Sequence, residues 1–101
     1  MVTFIRTVSV NGNENATKAM DWAKQIGKYV DGKFGFSHVE VGVEIYGQPG
    51  RIYWIGRQEN LESLGRGAQL GLTDAGYQAE LLKGAGLFVP GSVQDTVVLG
   101  I

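Results

Sequence analysis

Residues 37–46 alternate apolar and polar side chains with a period of two, and this pattern constrains the fold more than any other part of the chain. One side of the predicted strand consists of Val39, Val41, Val43 and Ile45. The other side consists of His38, Glu40, Gly42, Glu44 and Tyr46. Residues 48–51 (QPGR) then place Pro and Gly as a type II turn requires. We therefore predict an antiparallel hairpin between residues 37–46 and a second strand over residues 51–57 (RIYWIGR).

A strand and a helix precede this hairpin. Residues 3–10 (TFIRTVSV) mix β-branched and aromatic residues and stop at Asn11-Gly12, which is typical of a strand that ends in a turn. From Ala16 to Val30 apolar residues recur at helical spacing, and Asp31-Gly32 ends the run. The shoulder of this helix is apolar too, which makes it a candidate pocket wall or contact surface, and it carries Trp22, Ile26 and Tyr29.

A second helical region and a last strand follow. Residues 61–72 have helical periodicity with Asn60 as the predicted cap, but glycines interrupt it. We expect Thr73-Asp74 to cap a second helical piece that runs to Lys83-Gly84. Its inward residues are predicted to be Leu72, Ala75, Ala79 and Leu82. Residues 93–101 are predicted to form the last strand.

The resulting order, βαββαβ, predicts an α+β fold of the ferredoxin-like type, with a four-stranded antiparallel sheet covered by helices on one face. A chain of 101 residues has room for one domain, which we assign to residues 1–101. Strand 51–57 is apolar on both faces, and so is the tail of the last strand. A second copy of the chain is the simplest cover for the face without helices, so we expect a homodimer that closes a dimeric α+β barrel.

Composition excludes several classes of partner. Apolar residues make up 44% and charged residues 19% of the chain, which favours a folded globule over disorder. The formal net charge is −1 and no basic run is present, so we expect no nucleic-acid partner. No stretch is apolar enough to span a membrane, no secretory signal pattern begins the chain, and there is no Cys. We expect a cytoplasmic location and no membrane partner.

Motifs for cofactors and metals are missing from the sequence. Gly65-Arg66-Gly67 and the following residues to Gly71 superficially resemble a dinucleotide fingerprint, but the third glycine is misplaced. The chain contains no Walker lysine motif, nucleophile elbow or zincin motif. A single His with scattered carboxylates gives no metal-ligand spacing. We therefore predict no cofactor and no metal.

The last third of the chain resembles a known group of proteins. The resemblance is carried by residues 74–78 (DAGYQ), 81–84 (LLKG) and 87–96 (LFVPGSVQDT). These segments resemble the C-terminal part of dimeric α+β barrel proteins, which include the NIPSNAP-like and antibiotic-biosynthesis-monooxygenase-like families. The resemblance implies the dimeric barrel, but members differ in chemistry, since some oxidise aromatic substrates without a cofactor and some degrade haem. It therefore does not fix the function.

Large aromatic residues are numerous enough to line a cavity between the sheet and the helices. Core or interface packing is the commoner role of such residues and stays open for each. The candidates for binding a small apolar or aromatic molecule are Trp22, Tyr29, Tyr53, Trp54, Arg57 and Tyr77. Phe88 is a further aromatic that could line such a cavity. Whether the protein is an enzyme stays open, and the alternative to a binding protein is a cofactor-independent monooxygenase acting on an aromatic substrate.

His38 is the only histidine and the candidate catalytic base, with Glu40 two residues away on the same side of the strand. An ordinary polar role at the sheet edge or at the dimer seam is the favoured interpretation. Arg6, Arg51 and Arg57 could bind an anionic ligand, although pairing with Glu40 or Glu44 is favoured.

Overall fold

The computed structural model describes residues 1–47 and 49–101. The strands are β1 (Val2–Ser9), β2 (Val39–Val43), β3 (Arg51–Gln58) and β4 (Gln94–Leu99). The helices are α1 (Ala16–Val30), preceded by a 3-10 turn at Asn13–Asn15, then α2 (Leu61–Thr73) and α3 (Ala75–Leu82). The four strands form one antiparallel sheet in the order β2-β3-β1-β4. The α+β, ferredoxin-like prediction is confirmed.

The strand register assigns each residue of the sheet to one of two faces. Arg6 lies opposite Trp54 and Val8 opposite Ile52, and this face meets the helices. The other face, which we call the open face, carries alternate residues such as Ile5, Tyr53 and Ile55. The core lies between α1 and the helix-side face, and its buried members are Val8, Ala19, Ala23, Ile26, Val30, Val39, Ile52 and Trp54.

Strand β2 is shorter than the predicted strand over residues 37–46. The chain turns at Glu44, whose N–H donates to Arg51 O at 2.8 Å and whose O accepts from Gly50 N at 3.0 Å. Ile45 and Tyr46 therefore leave the sheet and are exposed. The predicted type II turn includes Gln48, which lies outside the described residues, while Gly50 has a φ of 89°.

The predicted break in the second helical region is confirmed by two caps. Asn60 Oδ1 accepts a hydrogen bond from Ser63 N at 2.8 Å at the start of α2. Asp74 Oδ1 accepts one from Tyr77 N at 2.7 Å at the start of α3. Asp74 itself is extended, with φ −79° and ψ 109°. The residues of α3 therefore do not continue the helical spacing of α2.

This break in the helical spacing overturns the predicted inward residues of the second piece. Leu72 and Leu82 are 74% and 76% exposed, and Ala75 and Ala79 are exposed too. The residues that pack toward the core are instead Tyr77 and Leu81. The predicted inward residues assume that the helical spacing continues through residue 74. The extended Asp74 rotates α3 relative to α2, so Tyr77 and Leu81 face the core instead.

Candidate binding site

A cavity lies between the sheet and the helices, and it consists of two lobes that share part of their lining. The first lobe, about 330 Å³, is bounded by α1, β3 and residues 88–93. The second lobe, about 400 Å³, is bounded by α2 and residues 34–36. Both volumes fall in the range of small-molecule sites. The residues that line both lobes are Phe4, Arg6, Val30, Phe36, Tyr77 and Leu81.

Aromatic rings form much of the wall of the first lobe. Trp22 meets Trp54 edge to face, with ring centroids 5.9 Å apart, and lies 5.1 Å from the ring of Phe88. The indole N–H of Trp22 donates to Glu80 O at 2.8 Å, and that of Trp54 donates to Ala23 O at 3.0 Å. Both indoles are thus fixed by backbone acceptors and present carbon surface to the lobe.

The second lobe is shaped by the loop after α1. Phe34 adopts a φ of 56°, which is uncommon for a residue other than glycine. Its carbonyl accepts a hydrogen bond of 2.7 Å from Nε2 of Gln58, a side chain that is only 1% exposed. Oε1 of Gln58 also accepts from Ser63 Oγ at 2.6 Å, which links β3 to α2. This bonding holds the Phe34 ring against Tyr77, with centroids 5.5 Å apart.

One ion pair lies where the two lobes join. Arg6 on β1 and Asp95 on β4 are direct partners in the sheet. Arg6 Nε donates to Asp95 Oδ1 at 2.7 Å and Nη2 donates to Oδ2 at 2.8 Å, a bidentate arrangement. These hydrogen bonds raise the pKa of the Arg6 guanidinium above its ordinary value, while burial acts in the opposite direction. Phe4 flanks the pair, because the Arg6 guanidinium carbon is 5.5 Å from its ring centroid.

The structure brings together three of the six ligand-binding candidates. Trp22, Trp54 and Tyr77 line the cavity. Tyr29 stands behind this wall, where its ring stacks on that of Tyr77 at 6.2 Å. Tyr53 and Arg57 point from β3 to the open face, because alternate residues of a strand face opposite ways, so these two do not line the cavity.

His38 lies outside the cavity as well. It stands just before β2, and its side chain is 66% exposed. Its Nδ1 is 3.3 Å from Asp31 Oδ1, an oxygen that also accepts from Val39 N at 3.1 Å. The carboxylate beside the His38 imidazole thus belongs to Asp31, the residue that follows α1.

The favoured pairing of Arg51 is seen on the open face. Arg51 Nη2 donates to Glu44 Oε1 at 2.9 Å and to Tyr53 Oη at 3.0 Å, and Tyr53 Oη in turn donates to Glu44 Oε1. Arg51 Nη1 also donates to Gln94 at 3.2 Å, which spans the sheet to β4. The Glu44 hydrogen bonds raise the pKa of Arg51.

The favoured pairing of Arg6 with Glu40 or Glu44 is wrong, because Arg6 pairs with Asp95 instead. The available signal was the position of Arg6, which shares the helix-side face of β1 with Phe4 and Val8. A charge on an otherwise apolar strand face has to be paired, and pairing with Asp95 requires the β1–β4 register, which no local pattern supplies.

The chain is similar in structure to several solved proteins. No protein-family model matches the chain, and no curated protein matches it by sequence. An uncharacterised NIPSNAP domain protein from Burkholderia xenovorans matches with a TM-score of 0.81 at 8% identity, over 100% of this chain and 95% of that one. A candidate antibiotic biosynthesis monooxygenase from Deinococcus radiodurans matches with a TM-score of 0.74 at 18% identity, over 99% and 92% of the two chains.

A third solved structure is described as a dimer. It is a protein of unknown function from Bacteroides fragilis, described as dimeric and ferredoxin-like, with a TM-score of 0.71 at 17% identity. The match covers 96% of this chain and 93% of that one. The chain has the fold of the NIPSNAP and antibiotic-biosynthesis-monooxygenase-like proteins. At these identities the likeness concerns the fold, and it leaves the ligand undetermined. None of the helices in residues 1–47 and 49–101 has the length and apolar character needed to cross a bilayer.

Proposed function

We propose that residues 1–101 form one domain that binds a small aromatic molecule in the cavity between the sheet and the helices. The observation that carries this proposal is the cavity itself, whose two lobes of about 330 and 400 Å³ are walled by aromatic rings around a single ion pair. Both lobes open to solvent, and a mostly apolar cleft with a few polar groups is the usual form of a small-molecule site. Space of this size beside fixed indoles suits a ligand better than it suits a core.

The proposal is tested by filling the cavity from one wall. Leu81 lines both lobes, whereas its neighbour Leu82 is 76% exposed. Leu81→Trp is expected to occupy the junction of the lobes and to weaken the binding of 1-naphthol, measured by titration calorimetry, by roughly tenfold or more. Leu82→Trp is the matched control and should bind as the unsubstituted protein does. Equal affinity in the two variants, or no binding of 1-naphthol to the unsubstituted protein, would contradict the proposal.

We propose in addition that the chain works as a homodimer whose partner covers the open face. Tyr53, Ile5 and Ile55 are only half-buried on that face, although they lie at the centre of the sheet. Strand β4 forms one edge, and its open-face residue Val98 is 48% exposed. Support also comes from the dimeric state ascribed to the Bacteroides fragilis protein. A patch of this kind favours association.

Two substitutions by arginine test whether the dimer interface lies on the open face or on the side of the helices. Val98→Arg places a cation on β4 near Arg57, because Thr3 is the strand partner of both residues. This variant is expected to lower the molar mass seen by light scattering to that of a monomer. Leu72→Arg, at a side chain of α2 that is 74% exposed, should leave the mass unchanged. A monomer in the unsubstituted protein, or a dimer lost only in Leu72→Arg, would contradict this interface.

A monooxygenase that needs no cofactor is the second candidate function. It is favoured by two matching structures described as candidate antibiotic biosynthesis monooxygenases, from Deinococcus radiodurans and Nitrosomonas europaea. His38 lies outside the cavity, so a base for chemistry there would have to come from another group, of which Asp95 is the carboxylate in the lining. Oxygen consumption with bound phenols should then survive His38→Ala. The absence of oxygen consumption with every phenol that binds would reject this candidate while leaving the binding function intact.

A further inference from the structure

We infer that the ligand of this cavity is an uncharged aromatic molecule with a hydroxyl or carbonyl group, and that the Arg6–Asp95 pair recognises this group while Asp95 rejects anionic ligands. The inference rests on the proposed binding function and adds the charge and the polar chemistry of the ligand. An arginine in an apolar cavity would ordinarily suggest a carboxylate ligand. Because this arginine is paired with Asp95, we expect the cavity to prefer uncharged ligands over carboxylates.

The anion-binding donors of Arg6 are already occupied by Asp95. A guanidinium binds a carboxylate best through two parallel N–H groups. Asp95 occupies such a pair of donors, Nε and Nη2, with both of its oxygens at 2.7 and 2.8 Å. The two residues are cross-strand partners in the β1–β4 ladder, so the sheet register fixes the contact.

The charge of the Arg6–Asp95 pair also disfavours an anionic ligand. The pair as a whole is neutral, so an anion that reached Arg6 would lie beside the Asp95 carboxylate without a cation left to balance it. The pair is partly exposed, with 40% of each side chain accessible, which reduces this repulsion without removing it. The surrounding Phe4, Phe36 and Leu81 side chains offer no compensating charge.

An uncharged polar group of a ligand can form hydrogen bonds with both members of the pair. A guanidinium has five N–H donors, and a carboxylate has about four lone-pair sites. The fork uses one donor from each of two nitrogens and one site on each oxygen. A ligand hydroxyl can therefore donate to Asp95 and accept from Arg6, and a carbonyl can accept from Arg6. Because Arg6 lines both lobes, rings on either side of this group remain in apolar surroundings.

The test compares three ligands that share one ring system: naphthalene, 1-naphthol and 1-naphthoate. Near pH 7 the naphthol keeps its proton, as phenols do, and the naphthoate is an anion. Titration calorimetry on the unsubstituted protein is expected to give the order naphthol, then naphthalene, then naphthoate. In Asp95→Asn the cavity gains one positive charge, and naphthoate affinity is expected to rise by roughly tenfold relative to that of naphthol.

Glu62→Gln is the matched control, because it makes the same change in net charge. It breaks the exposed Glu62–Arg66 pair on α2, whose residues do not line the cavity. The order of the three ligands should be unchanged in this variant. Tighter binding of naphthoate than of naphthol by the unsubstituted protein overturns the inference without touching the binding function, and this measurement needs no variant. An unchanged naphthoate to naphthol ratio in a folded Asp95→Asn protein also overturns it. If none of the three ligands binds, the proposed function fails first and this inference falls with it.

Discussion

Tyr29 Oη donates a hydrogen bond of 2.6 Å to Asp74 Oδ1, and the same oxygen caps α3 by accepting from Tyr77 N at 2.7 Å. One carboxylate oxygen thus ties α1 to the start of α3. Helix α3 has no fully buried residue of its own. Its position over the cavity therefore depends on this contact, on the Trp22–Glu80 hydrogen bond and on the packing of Tyr77 and Leu81.

Removing the Tyr29 hydroxyl should loosen α3. Tyr29→Phe keeps the ring that stacks on Tyr77 but removes the donor to Asp74. We expect the melting temperature to fall by a few degrees and the amide hydrogens of residues 75–82 to exchange several-fold faster, because local opening becomes easier. Tyr46→Phe, at a side chain that is 87% exposed, is the control and should change neither quantity. Unchanged exchange in Tyr29→Phe would show that the other contacts of α3, including the Trp22–Glu80 hydrogen bond and apolar packing, hold the helix without the Tyr29 hydroxyl.

The same contact predicts how stability depends on pH. The Tyr29 hydrogen bond, followed by that from Tyr77 N, lowers the pKa of Asp74 below the ordinary 3.8. A group whose pKa is lower in the folded state contributes stability above its unfolded pKa and loses it as the pH falls through the folded value. The unsubstituted protein should therefore lose stability below about pH 4 more steeply than Asp74→Asn, which keeps a capping oxygen.

Urea denaturation at a series of pH values measures this difference. Asp21→Asn, which removes an exposed carboxylate from α1, is the control for the change in charge and should lose stability in acid as steeply as the unsubstituted protein.

At alkaline pH stability falls as the pH rises, because the Asp74 hydrogen bond raises the pKa of Tyr29 above 10.0. That contribution is present below about pH 10 and is lost as the pH rises through the folded pKa. In acid, an equal dependence of the free energy of unfolding on pH in the unsubstituted protein, Asp74→Asn and Asp21→Asn would contradict the role given to Asp74.

Gln58 is expected to be the most sensitive polar residue of the core. Its side chain is 1% exposed, and it donates to the half-buried Phe34 carbonyl and accepts from the half-buried Ser63 hydroxyl, so both hydrogen bonds are partly shielded from water. Gln58→Leu leaves both groups unpaired and should lower the free energy of unfolding by about 2–4 kcal/mol. Ser63→Ala removes only one of the two bonds and should cost about 1 kcal/mol. Similar losses in the two variants would show that the Phe34 carbonyl finds another donor.

The fold was predictable because its signals are local. The alternation in residues 37–46, the caps at Asn60 and Asp74 and the order of the elements can each be recognised within a few residues. The two helix caps are the clearest example, since a side chain three positions before the bonded N–H is a contact within one turn. The strand that ended early, β2, did so because of backbone hydrogen bonds between Glu44, Gly50 and Arg51 that the residue pattern does not encode.

The candidate site was predictable only in part, because it depends on contacts between distant segments. Trp22 and Trp54 were predicted as binding candidates because they are large aromatics, Trp22 on the shoulder of the first helix, and they line the cavity. The partner of Arg6 lies 89 positions away, and Gln58, one residue beyond the predicted strand 51–57, is fully buried although its residue type gives no sign of it. Tyr53 shows that residue type alone does not identify a cavity residue. Its aromatic ring suits an aromatic ligand, but it lies on the open face of the sheet and not on the face that lines the cavity.

The close approach of Gly84 to Trp22 allows a paired test of how firmly the first lobe is built. A Cβ added at Gly84 would lie 2.5 Å from Trp22 Cε2 and 2.7 Å from Cζ2. The indole cannot swing away without losing its hydrogen bond to Glu80 O. Gly84→Ala should therefore lower the free energy of unfolding by about 1–3 kcal/mol and weaken binding in the first lobe.

Gly65 offers the opposite case on α2, because a Cβ there meets nothing within 4 Å among the described residues. Gly65→Ala removes a flexible residue from a helix interior and should raise the free energy of unfolding by about 0.5–1 kcal/mol, with no effect on binding. Chemical denaturation monitored by tryptophan fluorescence measures both variants on one scale. A stabilising effect of Gly84→Ala would mean that Trp22 can move freely, and the first lobe would then adapt to its ligand instead of being preformed.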